Sequence, residues 1–187
     1  MKWKRYGSTE KRSNIIKKKE LSTPQILSGG TVTFFSTLTV ILTLVLSPAF
    51  ADFSGRIVGV WDGDTIKVTH NGKVEKIRLY GIDCPEKAQP FGTKAKQSTS
   101  AIVFGKDVTI MEHGHDKYTR TLAEVLLPDG MNLNQELVKQ GWCWWYRQYA
   151  PGDTVLEGLE RDAREGRTGL WVDPQPVPPW EWRKRRR

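Results

Sequence analysis

Arg56-Ile57-Val58-Gly59-Val60-Trp61, Asp62-Gly63, Asp64-Thr65-Ile66-Lys67-Val68-Thr69, Asn71-Gly72, Val74-Glu75-Lys76-Ile77-Arg78-Leu79-Tyr80: in this stretch three apolar-rich runs are separated by two turn signals. Residues 64–69 alternate polar and apolar side chains, the period of a strand with one buried face. Asn71-Gly72 is a strong hairpin signal, because a two-residue type I′ turn needs positive φ at both central positions. Three strands joined by tight turns predict a meander.

Working outward, Ala95, Thr99, Ile102 and Val103 recur at helical spacing and Gly105 supplies a stop, which predicts a helix over 91–104. Val108-Thr109-Ile110-Met111 and Leu122-Ala123-Glu124-Val125-Leu126-Leu127 read as two more strands, the second ended by Pro128-Asp129-Gly130. A short helix from Asn132 to Gln140 is closed by Gly141, and another over 153–165 gathers Val155, Leu156, Leu159 and Ala163 on one side. Five strands with a helix between the third and fourth predict a mainly β, α+β chain: a five-stranded OB-fold barrel with about three helices.

The chain of 187 residues divides by composition into residues 1–51, a globular body over 52–172, and a Pro/Trp-rich and basic tail over 173–187. The net charge of +8 is unevenly spread: residues 1–20 carry +6, residues 21–51 carry none, and residues 52–187 carry +2. The last seven residues hold Glu181 and five bases, so the body before them is near −2 and is no generic polyanion binder. Leu38 to Leu46 is an apolar core after a Lys/Arg-rich start, followed by Ser47-Pro48-Ala49-Phe50-Ala51. This pattern predicts a signal peptide cut after Ala51 and a periplasmic or secreted protein. The alternative is an anchor that holds the protein to the membrane through residues 31–51. Arg183-Lys184-Arg185-Arg186-Arg187, a like-charge run after a Pro-rich stretch, is expected to be solvated and mobile. With no CxxC pair and three scattered His, zinc is not expected.

Two acidic clusters stand at predicted strand ends, Asp62-Gly63-Asp64-Thr65 and Asp83-Cys84-Pro85-Glu86. Carboxylates converging from neighbouring strands make a hard-oxygen site suited to calcium. Arg78 lies in the strand that delivers Asp83, and Arg120 closes Asp116-Lys117-Tyr118-Thr119-Arg120. Phosphoryl chemistry builds negative charge on non-bridging oxygens, and a guanidinium fork can bind phosphate bidentately.

In order and spacing, Asp-Gly-Asp-Thr, Arg-Leu-x-Gly-Ile-Asp-x-Pro-Glu and Asp-Lys-Tyr-x-Arg resemble the motifs of the staphylococcal nuclease (thermonuclease) family, over about residues 55–172. The resemblance implies a calcium-dependent nuclease, read as an endonuclease, that acts on DNA, RNA or both and leaves 3′-phosphate ends. It implies that Asp64, Asp83 and the Cys84 carbonyl hold the metal and that Asp62 stands behind them. It assigns Glu86 to the attacking water, Arg78 and Arg120 to the phosphate, and Lys117 and Tyr118 to a neighbouring phosphate. Tyr146, or else Tyr149, would stack on a base. Thr119 departs from the family, which commonly has Gly there, and Cys84 stands where the founding member has Thr.

The rival reading is a non-catalytic nucleic-acid-binding OB module; the presence of Asp64, Arg78, Asp83, Glu86 and Arg120 together argues against it. A membrane-anchored calcium-binding adaptor is a third reading. No obligate protein partner is inferred. Trp142 and Trp144 are expected to pack in the core. Cys84 and Cys143, the only cysteines, are either bonded to each other or two unpaired, partly buried thiols.

Overall fold

The computed structural model describes residues 52–186, so the expected leader, residues 1–51, and Arg187 lie outside the described residues. The elements in chain order are β1 (Phe53–Val60), β2 (Thr65–His70), β3 (Lys73–Leu79), β4 (Ile82–Asp83), α1 (Gly92–Val103), β5 (Asp107–His115), β6 (Thr121–Leu126), α2 (Leu133–Lys139), β7 (Trp144–Trp145), α3 (Thr154–Glu165), a 3₁₀ turn (Gly169–Val172) and α4 (Pro179–Arg185).

Five strands close into a barrel in the order β1-β2-β3-β6-β5, the OB-fold arrangement. The meander β1-β2-β3 is antiparallel, with Ile66 opposite Ile77 and Thr65 opposite Arg78. The barrel closes where β3 runs parallel to β6, Arg78 opposite Leu122. A parallel pair needs a long crossover, and the segment through α1 and β5 supplies it. Register shifts at Ile57/Gly59 in β1 and at Glu112/Gly114 in β5 mark bulges that bend the strands enough to close.

Alternation places Ile66 and Val68 of β2, Ile77 and Leu79 of β3, Ile110 of β5 and Val125 of β6 in a fully buried interior. The α1 side chains Ala95 and Val103 and the α2 side chains Leu133 and Leu137 cap it. Burying each Ile or Leu contributes about 1.5–3 kcal/mol, so the strand sequence that sets the fold also sets much of its stability.

The C-terminal part departs from expectation. Besides the three expected helices there is a fourth, α4, and a two-stranded sheet pairs β4 with β7, Asp83 opposite Trp144. The tail was expected to be solvated and mobile over Arg183–Arg187, yet Pro179–Arg185 is helical, with Pro179 buried and Trp180, Trp182 and Arg183 half-buried. Pro179 at the first helical position explains the start, because its missing N–H would have no partner there. Trp144, Ala163, Leu170 and Trp171 form a second apolar cluster, against which Phe91 and Trp180 pack. Trp142 is partly buried against the main core. Among the described residues no helix is long and apolar enough to cross a membrane.

Candidate active site

The two acidic clusters meet at one edge of the barrel. Asp64 stands just before β2, in a turn where Asp62 Oδ1 accepts the Asp64 N–H at 3.2 Å. Gly63 is required there by close approach: a Cβ on it would lie 2.7 Å from Cys84 Cβ and 3.1 Å from Cys84 Sγ. Asp83 is delivered by β4, and the next backbone N–H, that of Cys84, donates to Asp64 Oδ2 at 2.7 Å. Cys84 follows β4 and Cys143 precedes β7, so the register that faces Asp83 to Trp144 also brings the cysteines together, and they form a disulfide.

Arg78 joins the clusters. Its neighbours Ile77 and Leu79 point into the barrel, so alternation turns Arg78 outward. Its Nη1 meets Asp64 Oδ2 at 2.8 Å and its Nη2 meets Asp83 Oδ1 at 2.9 Å. Two carboxylates therefore share one guanidinium, with side chains only 7% (Asp64), 1% (Asp83) and 13% (Arg78) exposed. Burial pushes Asp64 up to about 7; Arg78 opposes the rise and Asp62 adds to it. Burial likewise pushes Asp83 up, against the hydrogen bond from Arg183 and the charge of Arg78. Burial disfavours the charge on Arg78 too, but Asp64 and Asp83 outweigh it and hold its pKa above the ordinary value. Arg78 thus remains a cation in a dry setting, and two acids compete for it. Such a site stabilises added positive charge.

Arg183 of α4 supplies positive charge from a position sequence reading had assigned to solvent. Its Nη2 donates to Asp83 Oδ2 at 2.7 Å, and its Nη1 to Glu86 Oε1 at 2.8 Å and to Asp83 Oδ1 at 3.3 Å. Glu86 itself sits in a loop closed by Gln89, whose Oε1 accepts the Glu86 N–H at 3.2 Å. Gly92 is also required by close approach, since a Cβ there would overlap the Glu86 carbonyl. The structure thus gathers Asp62, Asp64, Arg78, Asp83, Cys84 and Glu86, and adds Arg183.

Arg120 is held separately, in the β5–β6 turn. Asp116 Oδ2 accepts from Arg120 Nε at 2.7 Å, while Asp116 Oδ1 accepts the N–H groups of Tyr118 at 2.8 Å and Arg120 at 3.0 Å. Burial would raise Asp116, but these donors hold it below the usual carboxylate range. Thr119 adopts φ +62°, a left-handed conformation costly for a β-branched residue. Tyr118 is exposed, with Lys117 Nζ 5.1 Å and the Arg120 guanidinium 5.7 Å from its ring. Arg120 is one residue before Thr121, which pairs with Ile77; among the described residues its one ion pair is with Asp116, so the structure does not bring it into contact with Asp64, Arg78 or Asp83.

Tyr146 follows β7, tied to the Gly81 carbonyl by its N–H at 2.8 Å. Burial, and then the charge of Asp83, push its hydroxyl above the ordinary value. Tyr149 meets it edge-on at 4.9 Å. Trp180 lies nearly parallel to the Tyr146 ring, with centroids 5.3 Å apart and planes 12° apart. Beneath this wall the buried Glu160 of α3 accepts the Trp145 N–H at 3.1 Å and pairs with Arg147 at 3.0 Å and Arg164 at 3.3 Å. Sequence reasoning missed Arg183, Trp180 and Glu160. The available signal for the first two was the three-residue spacing of Trp180 and Arg183 behind Pro178-Pro179, which places both on one face of a helix.

An OB barrel that gathers buried carboxylates and guanidinium groups at one edge is suited to handling a phosphate ester. The family described as staphylococcal nuclease homologue matches residues 76–173. An endonuclease of Escherichia coli O157:H7, itself uncharacterized, is 47% identical over 136 residues, covering 73% of this chain and 88% of the relative. The micrococcal nuclease of Shigella flexneri is 39% identical over 153 residues, covering 77% and 88%. An uncharacterized endonuclease of Haemophilus influenzae is 42% identical over 130 residues, covering 69% and 72%. The chain belongs to the staphylococcal nuclease family. It is a nuclease, and its substrate is nucleic acid.

Proposed function

We propose that the chain is a calcium-dependent endonuclease that hydrolyses DNA, RNA or both and leaves 3′-phosphate ends. The observation that carries this reading is the convergence of Asp64 and Asp83 on the two ends of the Arg78 guanidinium, with Glu86 three residues further on.

The donor set fits a hard cation. Asp64, Asp83 and the Cys84 carbonyl would hold it, with Asp62 behind Asp64. Among the described residues no group of three or more His, Cys, Asp or Glu side chains forms a metal cluster. Two carboxylates, a carbonyl and waters are an oxygen shell that calcium accepts and that softer metals do not favour. When bound, calcium would relieve the repulsion between the acids and withdraw charge from a non-bridging phosphate oxygen.

The chain's own groups account for the remaining demands. Glu86 takes a proton from water as its oxygen attacks phosphorus, and the bond from phosphorus to the 5′ oxygen breaks. The phosphate stays on the 3′ side, and the departing 5′ oxygen takes a proton from solvent water. Arg78 and Arg120 face the charge that builds on the non-bridging oxygens, and their planar forks suit that geometry. Asp116 pre-orients Arg120, which lowers the reorganisation needed at the moment of reaction. Lys117 and Tyr118 bind a neighbouring phosphate, and Tyr146 stacks on a base. Stacking tolerates any base, which suits broad substrate choice.

The test is digestion of single- and double-stranded DNA and RNA by the full chain with calcium or with chelator, followed by end-group analysis. We expect calcium-restored cleavage and 3′-phosphate ends; undiminished cleavage in chelator, or 5′-phosphate ends, would contradict the reading. We also propose that residues 1–51 are an export leader, residues 52–172 the nuclease domain and residues 173–187 an appended tail. A mature protein beginning at Asp52 is the expected result of N-terminal sequencing. One beginning at Met1 would favour the anchor.

A further inference from the structure

We propose that the acid-lined catalytic face is a docking surface for the chain's own C-terminal segment, and that calcium and nucleic acid must displace this segment to bind. The proposal rests on the calcium reading above. The segment, residues 174–186, lies beyond the residues that match the family.

Three contacts place it there. Arg183 uses both ends of its guanidinium on Asp83 and one on Glu86, at 2.7–3.3 Å. Asp83 Oδ1 already accepts from Arg78 at 2.9 Å, so both Asp83 oxygens are engaged by guanidinium groups. A carboxylate so occupied has few lone pairs left for a cation, and a neighbouring positive charge repels one. Trp180 lies on Tyr146 at 5.3 Å, the place a base would take, and meets Trp144 edge-on at 5.6 Å. Gln89, only 6% exposed, donates from Nε2 to the Val177 carbonyl at 2.6 Å, which ties the segment to the Glu86 loop.

The fit is chemical as well as steric. One face of α4 presents Trp180 and Arg183 to an aromatic and acidic surface, while Glu181, Lys184, Arg185 and Arg186 are exposed. Trp180 thus takes the position of a nucleobase and Arg183 the position of a cation. A seven-residue helix is marginal without its packing, so docking is reversible. An occupied site lowers the apparent affinity of any competitor in proportion to the fraction of time the site is free. A segment docked nine-tenths of the time weakens calcium about tenfold.

The experiment is calorimetric titration of calcium into the full chain, into Arg183→Gln and into Trp180→Ala. Arg183 and Trp180 lie on a terminal helix, outside the barrel core, so both variants should fold. We expect Arg183→Gln to bind calcium about tenfold more tightly than wild type, with Trp180→Ala between them. In parallel, hydrogen exchange of the Trp180–Arg186 amides should quicken when calcium is added to the wild type. Equal or weaker calcium binding by Arg183→Gln, with saturable binding in wild type, overturns the docking proposal and leaves the calcium reading standing. Unchanged exchange at saturating calcium overturns it too. No saturable binding by any of the three proteins overturns the calcium reading, and the competition falls with it.

Discussion

The barrel and the C-terminal segment both bring an arginine to Asp83, and they hold it in different ways. Arg78 is fixed by a strand whose neighbours are in register on both sides and whose flanking residues fill the core. Arg183 is carried by a seven-residue helix and is 40% exposed at its side chain, against 13% for Arg78. A group fixed by a closed barrel is preorganised; one carried on a short terminal helix can leave. The contrast suits Arg78 to the proposed reaction and Arg183 to its proposed control.

The largest effect that sharpens this contrast is at the barrel arginines. Replacing Arg78 with Ala leaves two buried carboxylates without their shared partner, so it should cost about 3–5 kcal/mol of stability as well as activity. Arg120, tied only to Asp116 in an open turn, should separate the two effects. Arg120→Ala is expected to lower kcat about 10²–10³-fold with little change in Tm. Near-normal turnover in Arg120→Ala, measured with calcium present, would contradict its role.

The disulfide comes next. Cys84–Cys143 spans 59 positions and clamps β4, which carries Asp83, to β7, beside the stacking wall. Reduction should cost about 4 kcal/mol on the chain-entropy model. Urea midpoints with and without reductant measure it. A loss below about 1 kcal/mol would show that the small sheet does not depend on its clamp.

The pH dependence probes the barrel acids from another side. Asp64 titrates near 7 when folded, against an ordinary value of 3.8, so between those limits the folded state holds the extra proton. Its contribution to stability is therefore full below about 4 and is lost as pH rises through about 7, on the order of 4 kcal/mol. Denaturant melts in chelator from pH 4 to 8 should show this decline, and Asp64→Asn should flatten it. A wild-type profile matching that of Asp64→Asn would contradict the assignment. A smaller effect is expected at Thr119→Gly. Relief of the left-handed strain at φ +62° outweighs the added freedom of glycine, for a gain of about 0.5 kcal/mol in thermal melts. A destabilised variant would show that the strain is balanced elsewhere in the turn.

The same division explains what could be read in advance. The barrel was legible because each strand announces itself locally: Ile66/Val68 and Ile77/Leu79 alternate, and Asn71-Gly72 turns between them with Asn71 at φ +49° and Gly72 at φ +72°. The place of Asp64 and Arg78 was legible because the β2–β3 register sets Thr65 opposite Arg78, and Asp83 follows within five residues of Arg78. The docked segment was not, because a basic run looks solvated wherever its acidic counterpart is distant in sequence. Arg183 is 100 residues from Asp83 and 97 from Glu86. Glu160 was illegible for a different reason: its partners are near in sequence, but only the fold shows that it is buried against the Trp145 backbone between two arginines.

The contrast between the two regions is tested most directly by single-turnover cleavage of one oligonucleotide at saturating calcium, comparing wild type, Glu86→Gln and Arg183→Gln. The account predicts that Glu86→Gln slows cleavage about 10²–10⁴-fold, as loss of a general base does, while Arg183→Gln cleaves at least as fast as wild type. Cleavage by Glu86→Gln at the wild-type rate, or a loss in Arg183→Gln as large as that in Glu86→Gln, would contradict it.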